Sequence, residues 1–545
     1  MRFFNTAGPC DPRFHYMLPA AERLPEVPRL VERGMYFVVH APRQTGKTTS
    51  LRALAKALTA QDRFAVLHVT CETGEVAGDD YASAQHAILT AMRMAARTTL
   101  PPALQPPDDW SKLGVDLGLG LGLGPGLGRA QGQDLSLLAL ALESWARACP
   151  RPLALFFDEI DALRGKSLLA VLRQLRAGYH LRPDAAPWSV ILCGMRDVRD
   201  YKTASGSDEE PRLGSASPFN IKVDSMRLGD FSAEQVAALY GQHTAETGQP
   251  FAEDAIERAF ALTRGQPWLV NALAREIIEQ MGVSPPTPIT VEHVEQAKEH
   301  LILARATHLD SLVARLSEPR VRRVIEPLLA GATIHAGTYD DDVAYARDLG
   351  LVTADPVVQV ANPIYREVIA RVLAAPAEGH VQIAPRAFVR ADGQLDMDAL
   401  LAAFLGFWKQ HGEILTSGMV YHEVAPQLVL MAFLQRVVNG GGYVDREYGI
   451  GRGRIDLLIR WPYVDAHGVR QWQREAAEIK VWREHKSDPL PRRLEQLDAY
   501  LERCGLGHGA LVVFDRRPGA PPITERTQLT HTNTPGGKPV ILLRA

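Results

Sequence analysis

Two spacings of apolar residues alternate along the first third of the chain. Between residues 36 and 194, short apolar runs ("YFVVH", "FAVLHVT", "LALFF" and "SVILCG") are separated by stretches in which apolar positions recur every three to four residues, from Lys47, near 80–97 and near 167–178. Unbroken apolar strands are buried on both faces, and amphipathic helices between them are what parallel crossovers require. The pattern predicts a parallel sheet covered on both sides. Residues 113–134, "LGVDLGLGLGLGPGLGRAQGQD", interrupt it with recurring glycine and leucine. They read as a surface insertion or weak edge strand, with a flap over a site as the alternative.

Beyond residue 230 the spacing is helical, starting after Ser232, whose side chain suits a helix N-cap. From about 309 to 375 the order becomes two helices, the short strands "LVTA" and "VVQVA", and a helix "NPIYREVIARVL", which is the order of a winged-helix module. The helix that would read DNA in such a module begins with Asp340, Asp341 and Asp342. Three carboxylates repel phosphate, so a structural or regulatory role is expected there. A Pro/Gly/Ala-rich link follows, then a long helix or two, "YVDREYG", "RIDLLIRW", "QREAAEIKVW", a helix near 490–503 and "GALVVF". The expected division is 1–229, 230–308, 309–375, a linker at 376–395, and 396–545. The fold class is therefore α/β and multidomain.

Composition narrows this reading in three ways. A formal net charge of −3 over 545 residues means that any nucleic-acid contact must come from a local basic patch. Five scattered cysteines without a CxxC pair argue against a zinc site or a disulfide framework. The N-terminus lacks the order of a signal peptide and no apolar run reaches the ~20 residues of a membrane span, so a cytoplasmic protein with no membrane partner is expected.

The first candidate chemistry lies in "APRQTGKTT", directly after an apolar strand. Backbone N–H groups of Gln44, Thr45 and Gly46, with the following helix N-terminus, would cradle phosphates. Lys47 would reach the outer phosphates, Thr48 would bind Mg²⁺, and Thr49 lies beside it. The first glycine of this P-loop pattern is replaced by Ala41; if that position needed positive φ, alanine would cost roughly 1 kcal/mol. "LALFFDEID" supplies the complementary acids: Asp158 for the Mg²⁺ shell and Glu159 to orient or deprotonate the attacking water. The next strand leads to Arg196, a candidate γ-phosphate reporter or a surface arginine. Arg173 and Arg176 could reach a neighbour's nucleotide in a homo-oligomer or form a solvated helix face. "TRGQPWLVNAL" adds Gly265-x-Pro267 between helices.

With these motifs, residues 1–375 resemble the signal-transducing, archaeal-ATPase-like branch of the AAA+ ATPases. The resemblance implies ATP as ligand, a P-loop core, a helical lid, a winged helix, and a GxP turn that couples Gly265 and Pro267 to the nucleotide state. It also makes His15 and Tyr16 candidates for the adenine side, with plain packing as the alternative.

The second candidate chemistry is C-terminal. Asp456 sits early in "RIDLLIRW", and Glu478 and Lys480 lie two apart in "AAEIKVW", so they point to one face of a strand. Acids and a lysine inside apolar strands are costly unless they serve one another or a metal. These residues resemble the PD-(D/E)xK nucleases, and Gln496-x-x-x-Tyr500 matches the QxxxY element of the RecB-type branch. That resemblance covers about 396–520 and implies a restriction-endonuclease-like α/β domain. Asp456, Glu478 and an upstream Glu423 would hold Mg²⁺ or Mn²⁺, with Lys480, Gln496 and Tyr500 supporting cleavage of DNA. Arg452, Arg454, Arg483 and Lys486 would meet the phosphate backbone. Tyr443, Tyr448 and Trp482 could stack bases or belong to the core or rim. The alternative is a structural ion-pair network, as in inactive members of this fold.

Together these features lead to the expectation that ATP binding and hydrolysis regulate a metal-dependent DNA nuclease, in the setting of defence against foreign DNA or mobile elements. The rivals are an ATP switch with an inactive nuclease-like domain, a DNA motor, and a scaffold that oligomerises on ATP.

Overall fold

The computed structural model describes residues 2–108, 136–196, 224–304, 307–329, 333–335, 340–353, 357–378, 387–417, 424–438, 442–450, 453–482, 488–517 and 519–545. The glycine-leucine stretch 113–134 therefore lies outside the described residues. The chain forms two compact units: Met1–Ala306 with Ala344–Val352, and Thr307–Val343 with Thr353–Ala545. The split runs through the segment 309–375.

In the first unit, β1 (Tyr36–His40), β2 (Ala65–Thr70), β3 (Leu153–Asp158), β4 (Ser189–Gly194) and β5 (Asp224–Arg227) form one sheet in the order β2-β3-β4-β1-β5. Its pairings are parallel, as the unbroken apolar runs predict. Alternate side chains of the same strands feed two separate cores. Tyr36, Val38, Leu155 and Phe157 pack under the helices Tyr81–Thr99, Leu137–Ala148 and Gly165–Gly178, while Phe37, Val39, Ala154 and Phe156 pack against Val27–Glu32 and Lys47–Thr59. Burying a residue such as Phe157 stabilises the fold by about 1.5–3 kcal/mol, which explains why the strands tolerate few polar positions. In β2 and β3 the polar exceptions are His68, inside β2, and Thr70 and Asp158, at the ends of the two strands.

A helical region follows: Ala233–Thr247, Glu253–Thr263, Pro267–Arg275 and Val291–Leu303. Ser232 caps its first helix in a reciprocal capping box with Gln235, removing two unsatisfied N–H groups. Between the second and third helices, Gly265 has φ +78°, and a Cβ there would sit 1.8 Å from the Phe231 carbonyl oxygen. Only glycine fits a turn that approaches another backbone so closely.

In the second unit, β6 (Ile334–His335) pairs antiparallel with β8 (Val357–Val360); β7 (Val352–Thr353) straddles the division of the chain. The region also contains the helices Thr307–Val313, Pro319–Leu329 and Pro363–Glu378, and the helix Asp341–Asp348 carries the acidic start. Asp342 at that start is paired with Arg320 and Arg323 at 2.8 and 2.6 Å.

The C-terminal sheet contains β9 (Tyr443–Ile450), β10 (Gly453–Val464), β11 (Arg470–Trp482), β12 (Gly509–Asp515), β13 (Gln528–Asn533) and β14 (Pro539–Arg544), in the order β13-β14-β12-β11-β10-β9. Hairpins make β9-β10-β11 antiparallel, whereas β11, β12 and β14 are parallel. The helix Leu490–Cys504 connects β11 to β12 and buries Leu497, Tyr500 and Leu501 against Leu458, Ala476, Leu511 and Val513. Phe514 meets the rings of Phe404 and Trp408, from the helix Met397–Ser417. Strands β13 and β14, beyond residue 520, extend the sheet past the last strand that the hydropathy pattern assigned.

Candidate functional site

The first site is assembled where β1 turns into the helix Lys47–Thr59. All five residues of β1 are buried, which fixes the starting point of the loop. Left-handed backbone occurs at Gln44 (φ 59°) and Gly46 (φ 87°), whereas Ala41 is buried and is not among the positive-φ residues. The missing first glycine therefore carries no backbone cost, and Gln44 takes the strained conformation instead.

Lys47 is 5% exposed and its Nζ donates to the carbonyls of Ala41 and Pro42, both at 2.9 Å. The amine is thus folded back over the loop's own carbonyls. Thr48 Oγ1 donates to Asp158 Oδ2 at 2.6 Å. His68 Nε2 lies 3.0 Å from the same oxygen, and Glu159 N donates to the other carboxylate oxygen at 3.0 Å. Burial alone would raise the Asp158 pKa, but the hydrogen bonds from His68 and Thr48 outweigh it and hold it below the ordinary value. Glu159, with φ 51°, is raised by burial, partly offset by the charge of Lys47. A half-buried carboxylate with raised proton affinity is suited to accepting a proton from water. Thr48 and Asp158 form a hydroxyl-carboxylate pair of the chemistry that holds Mg²⁺ on a nucleotide, so the residues present fit that ion.

His68 is the member that motif reading missed. It lies two residues before Thr70, which is opposite Asp158 in the β2-β3 ladder, so the pleat turns it to the same face. Its only sequence signal is a polar residue inside "AVLHVT".

Beside the loop is a pocket lined by Asn5, Thr6, Tyr16, Met17, Leu18, Gln44, Thr45, Gly46, Thr49, Phe231, Leu239, Pro267, Trp268 and Asn271, among others. It joins the N-terminal segment, the P-loop and the GxP turn. Thr49 Oγ1 accepts from Cys10 N at 3.0 Å, and Arg23 donates to Thr45 O at 2.9 Å while covering the Phe231 ring. Of the two adenine-side candidates, Tyr16 lines the pocket but is 1% exposed, with its hydroxyl 3.3 Å from His243 Nδ1. His15 is instead engaged with Asp11 N and packs edge-on against Phe3. The Arg196 guanidinium stacks on the Tyr345 ring, 4.1 Å from its centroid. Arg173 and Arg176 are both exposed on the helix Gly165–Gly178.

A second cluster forms in the C-terminal sheet. Leu457 is opposite Ala477 in the β10-β11 ladder, and one step further along it Asp456 reaches the strand of Glu478. Asp456 Oδ2 accepts from Ile479 N at 2.8 Å. Lys480 Nζ lies 3.7 Å from Asp456 Oδ2 and 3.5 Å from Glu478 Oε1. Arg493, on the helix that follows, lies 3.5 Å from the same Glu478 oxygen and donates to Gln496 Oε1. Gln496 Nε2 in turn donates to Tyr500 Oη at 2.7 Å.

Glu478 is 1% exposed, and its Oε2 has no hydrogen-bond partner. Burial and the nearby Asp456 charge push its pKa up to about 7, against the attraction of Lys480 and Arg493. An unpartnered buried carboxylate oxygen is costly unless something else engages it. Two carboxylates side by side, one with an open oxygen, fit a hard divalent cation completed by water. Among the described residues, no group of three or more His, Cys, Asp or Glu forms a fuller cage.

Glu423, Arg452, Arg483 and Lys486 lie outside the described residues, and of Arg454 and Tyr448 only the backbone, in β10 and β9, is described. Tyr443 packs with Trp472, and the Trp482 face is covered by the Arg517 guanidinium at 3.6 Å. Neither ring is a free stacking platform.

The fold and first site define a P-loop nucleotide-binding module. The family model of an AAA domain matches residues 31–201, which supports an ATP-binding AAA-type ATPase in this part of the chain. Comparison with curated proteins gives no match. Similar solved structures include a Walker-type ATPase of Pyrococcus abyssi, at 13% identity and TM-score 0.43, covering 67% of this chain and 99% of that one. Cdc6p from Pyrobaculum aerophilum is similar at 13% identity and TM-score 0.34, covering 66% and 95%. The Holliday junction branch migration motor RuvB of Thermotoga maritima is similar at 14% identity and TM-score 0.32, covering 64% and 93%. Among the described residues, no helix is long and apolar enough to cross a membrane.

Proposed function

We propose that the chain is a nucleotide-regulated nuclease. ATP binding and hydrolysis in residues 1–229, relayed through the lid at 230–308 and the winged-helix segment at 309–375, control metal-dependent cleavage of DNA by residues 396–545. The observation that carries the nuclease assignment is the open Oε2 of buried Glu478, in one cluster with Asp456 and Lys480.

In this reading, Lys47 leaves the Ala41 and Pro42 carbonyls for the outer phosphates, and Glu159 takes the proton of the attacking water. Thr48 directly, and Asp158 through water, would hold Mg²⁺, which offsets phosphate charge when bound. At the second site, Asp456 and Glu478 would hold Mg²⁺ or Mn²⁺ beside the scissile phosphodiester. Lys480 supports the developing charge, and Gln496 and Tyr500 hold Arg493 beside Glu478. Defence against foreign DNA is the setting that this pairing of domains fits by analogy.

A second reading draws on the same cluster. Lys480 and Arg493 together supply two cations to one Glu478 oxygen, which favours an ion-pair network in a domain that binds without cutting. Incubating circular and linear DNA with the purified chain and Mg²⁺ or Mn²⁺ separates the two. Cleavage lost in Asp456→Ala and Glu478→Ala supports the nuclease; DNA bound but intact under every metal supports the second reading.

A further inference from the structure

Among the residues that line the pocket beside the P-loop, Asn271 carries a buried polar atom that has no hydrogen-bond partner. Asn271 lies on the helix Pro267–Arg275, lines the pocket, and is 8% exposed. Its Nδ2 donates to the Pro267 carbonyl at 2.8 Å. Because a carbonyl only accepts, this bond fixes the amide's orientation, and the other end of the side chain must be the oxygen. That Oδ1 is buried with no hydrogen-bond partner.

The lining residues Met17, Thr6 and Trp268 are engaged with one another or with groups behind the pocket. Gln242 accepts from Met17 N at 3.3 Å and donates to Met17 O at 3.0 Å. Trp268 Nε1 donates to Thr6 O at 2.9 Å, and Arg275 donates to Thr6 Oγ1 at 2.6 Å. A buried acceptor without a partner, on a side chain that lines a pocket, calls for a donor from a ligand.

We propose that Asn271 is the base-reading residue of the nucleotide site: its Oδ1 accepts from the exocyclic amino group of a 6-aminopurine and so selects adenine. A 6-oxo purine, guanine or hypoxanthine, presents a carbonyl at the same position. Two acceptors would then face one another in a dry pocket, with neither satisfied. The apolar side chains of Leu18, Phe231 and Trp268 supply walls for the ring but cannot distinguish the two edges. The proposal deepens the ATP reading above and rests on it.

Titration of the full chain with ATP, purine riboside triphosphate, inosine triphosphate and inorganic triphosphate, in the presence of Mg²⁺, tests both layers. The wild type is expected to bind ATP about 10-fold or more tightly than inosine triphosphate, the worth of roughly one hydrogen bond, with the unsubstituted purine between them. Asn271→Leu is expected to bind the three nucleosides' triphosphates alike while keeping its affinity for inorganic triphosphate, and Lys47→Ala should weaken all four. Equal binding of ATP and inosine triphosphate by the wild type overturns the proposal without needing a variant. An unchanged preference in Asn271→Leu also overturns it, and both outcomes leave the phosphate site standing if Lys47 is still required. Absence of nucleotide binding by the wild type, or binding indifferent to Lys47→Ala, overturns the phosphate-site reading and this proposal together.

Discussion

Thr48 Oγ1 and Asp158 Oδ2 are 2.6 Å apart, joining the helix after the P-loop to the end of the neighbouring β-strand. With His68 on the same carboxylate oxygen, the pair keeps Asp158 ionised and oriented although the residue is only 1% exposed. Thr48→Ala should therefore leave the fold intact but lower Mg²⁺-dependent ATP hydrolysis by on the order of 100-fold, since a bound metal contributes several kcal/mol to such a reaction. A steady-state phosphate-release assay checks this; hydrolysis at the wild-type rate would remove Thr48 from the metal site.

Glu159 and Asp158 are adjacent but should fail differently. Glu159→Gln keeps the backbone bond to Asp158 and removes only the proton acceptor, so ATP should still bind while turnover falls by roughly 10²–10⁴-fold. Equilibrium binding measured alongside single-turnover hydrolysis distinguishes this from loss of the site. Turnover that survives in Glu159→Gln would assign the water to another residue.

Gly265→Ala places a Cβ against the Phe231 carbonyl and forces alanine to φ +78°. Left-handed backbone and the clash together should lower stability by about 1–3 kcal/mol or more. Because Phe231 and Pro267 both line the pocket, nucleotide affinity should fall with it. Thermal unfolding with and without ATP reads both effects, and a variant as stable as wild type would contradict the turn geometry.

Glu478 provides a pH signature. Its folded pKa of about 7 lies above the ordinary 4.5 because burial and Asp456 disfavour the charged form. The sign follows from linkage: the protonated form is favoured in the folded state, so its stabilisation is fully present below about 4.5 and is lost as pH rises through about 7. Metal-free wild type should lose stability between pH 5 and pH 8, relative to Glu478→Gln, and Mg²⁺ or Mn²⁺ should reverse that loss by binding the ionised carboxylate. Melting curves of both proteins across this range check it. Parallel pH dependences in the two would contradict the assignment.

The β1 strand, the P-loop and "FFDE" were legible because their chemistry is local: an apolar run, a turn and a helix start lie next to one another in sequence. The Gly265 turn was legible for a similar reason, although the cause of its glycine, the Phe231 carbonyl, is distant in sequence. His68 was not legible, because it becomes meaningful only when β2 pairs with β3. Arg493 was missed likewise: it reads as one more charge on an exposed helix until the fold sets it beside Glu478. Strand β13, "QLTHTN", is mostly polar because it is a sheet edge, and so lacks the apolar alternation that marks a strand. Asn271 lies in a run of apolar residues, and only the fold shows that it lines the pocket and that its oxygen has no partner.

The coupling of the two chemistries is tested most directly by DNA cleavage with Mg²⁺ or Mn²⁺, measured with and without ATP, in wild type, Lys47→Ala and Glu478→Ala. The account predicts no cleavage by Glu478→Ala under any condition, and a wild-type rate that ATP changes and that Lys47→Ala renders insensitive to ATP. Cleavage that persists in Glu478→Ala, or a wild-type rate that is the same with and without ATP, would contradict it.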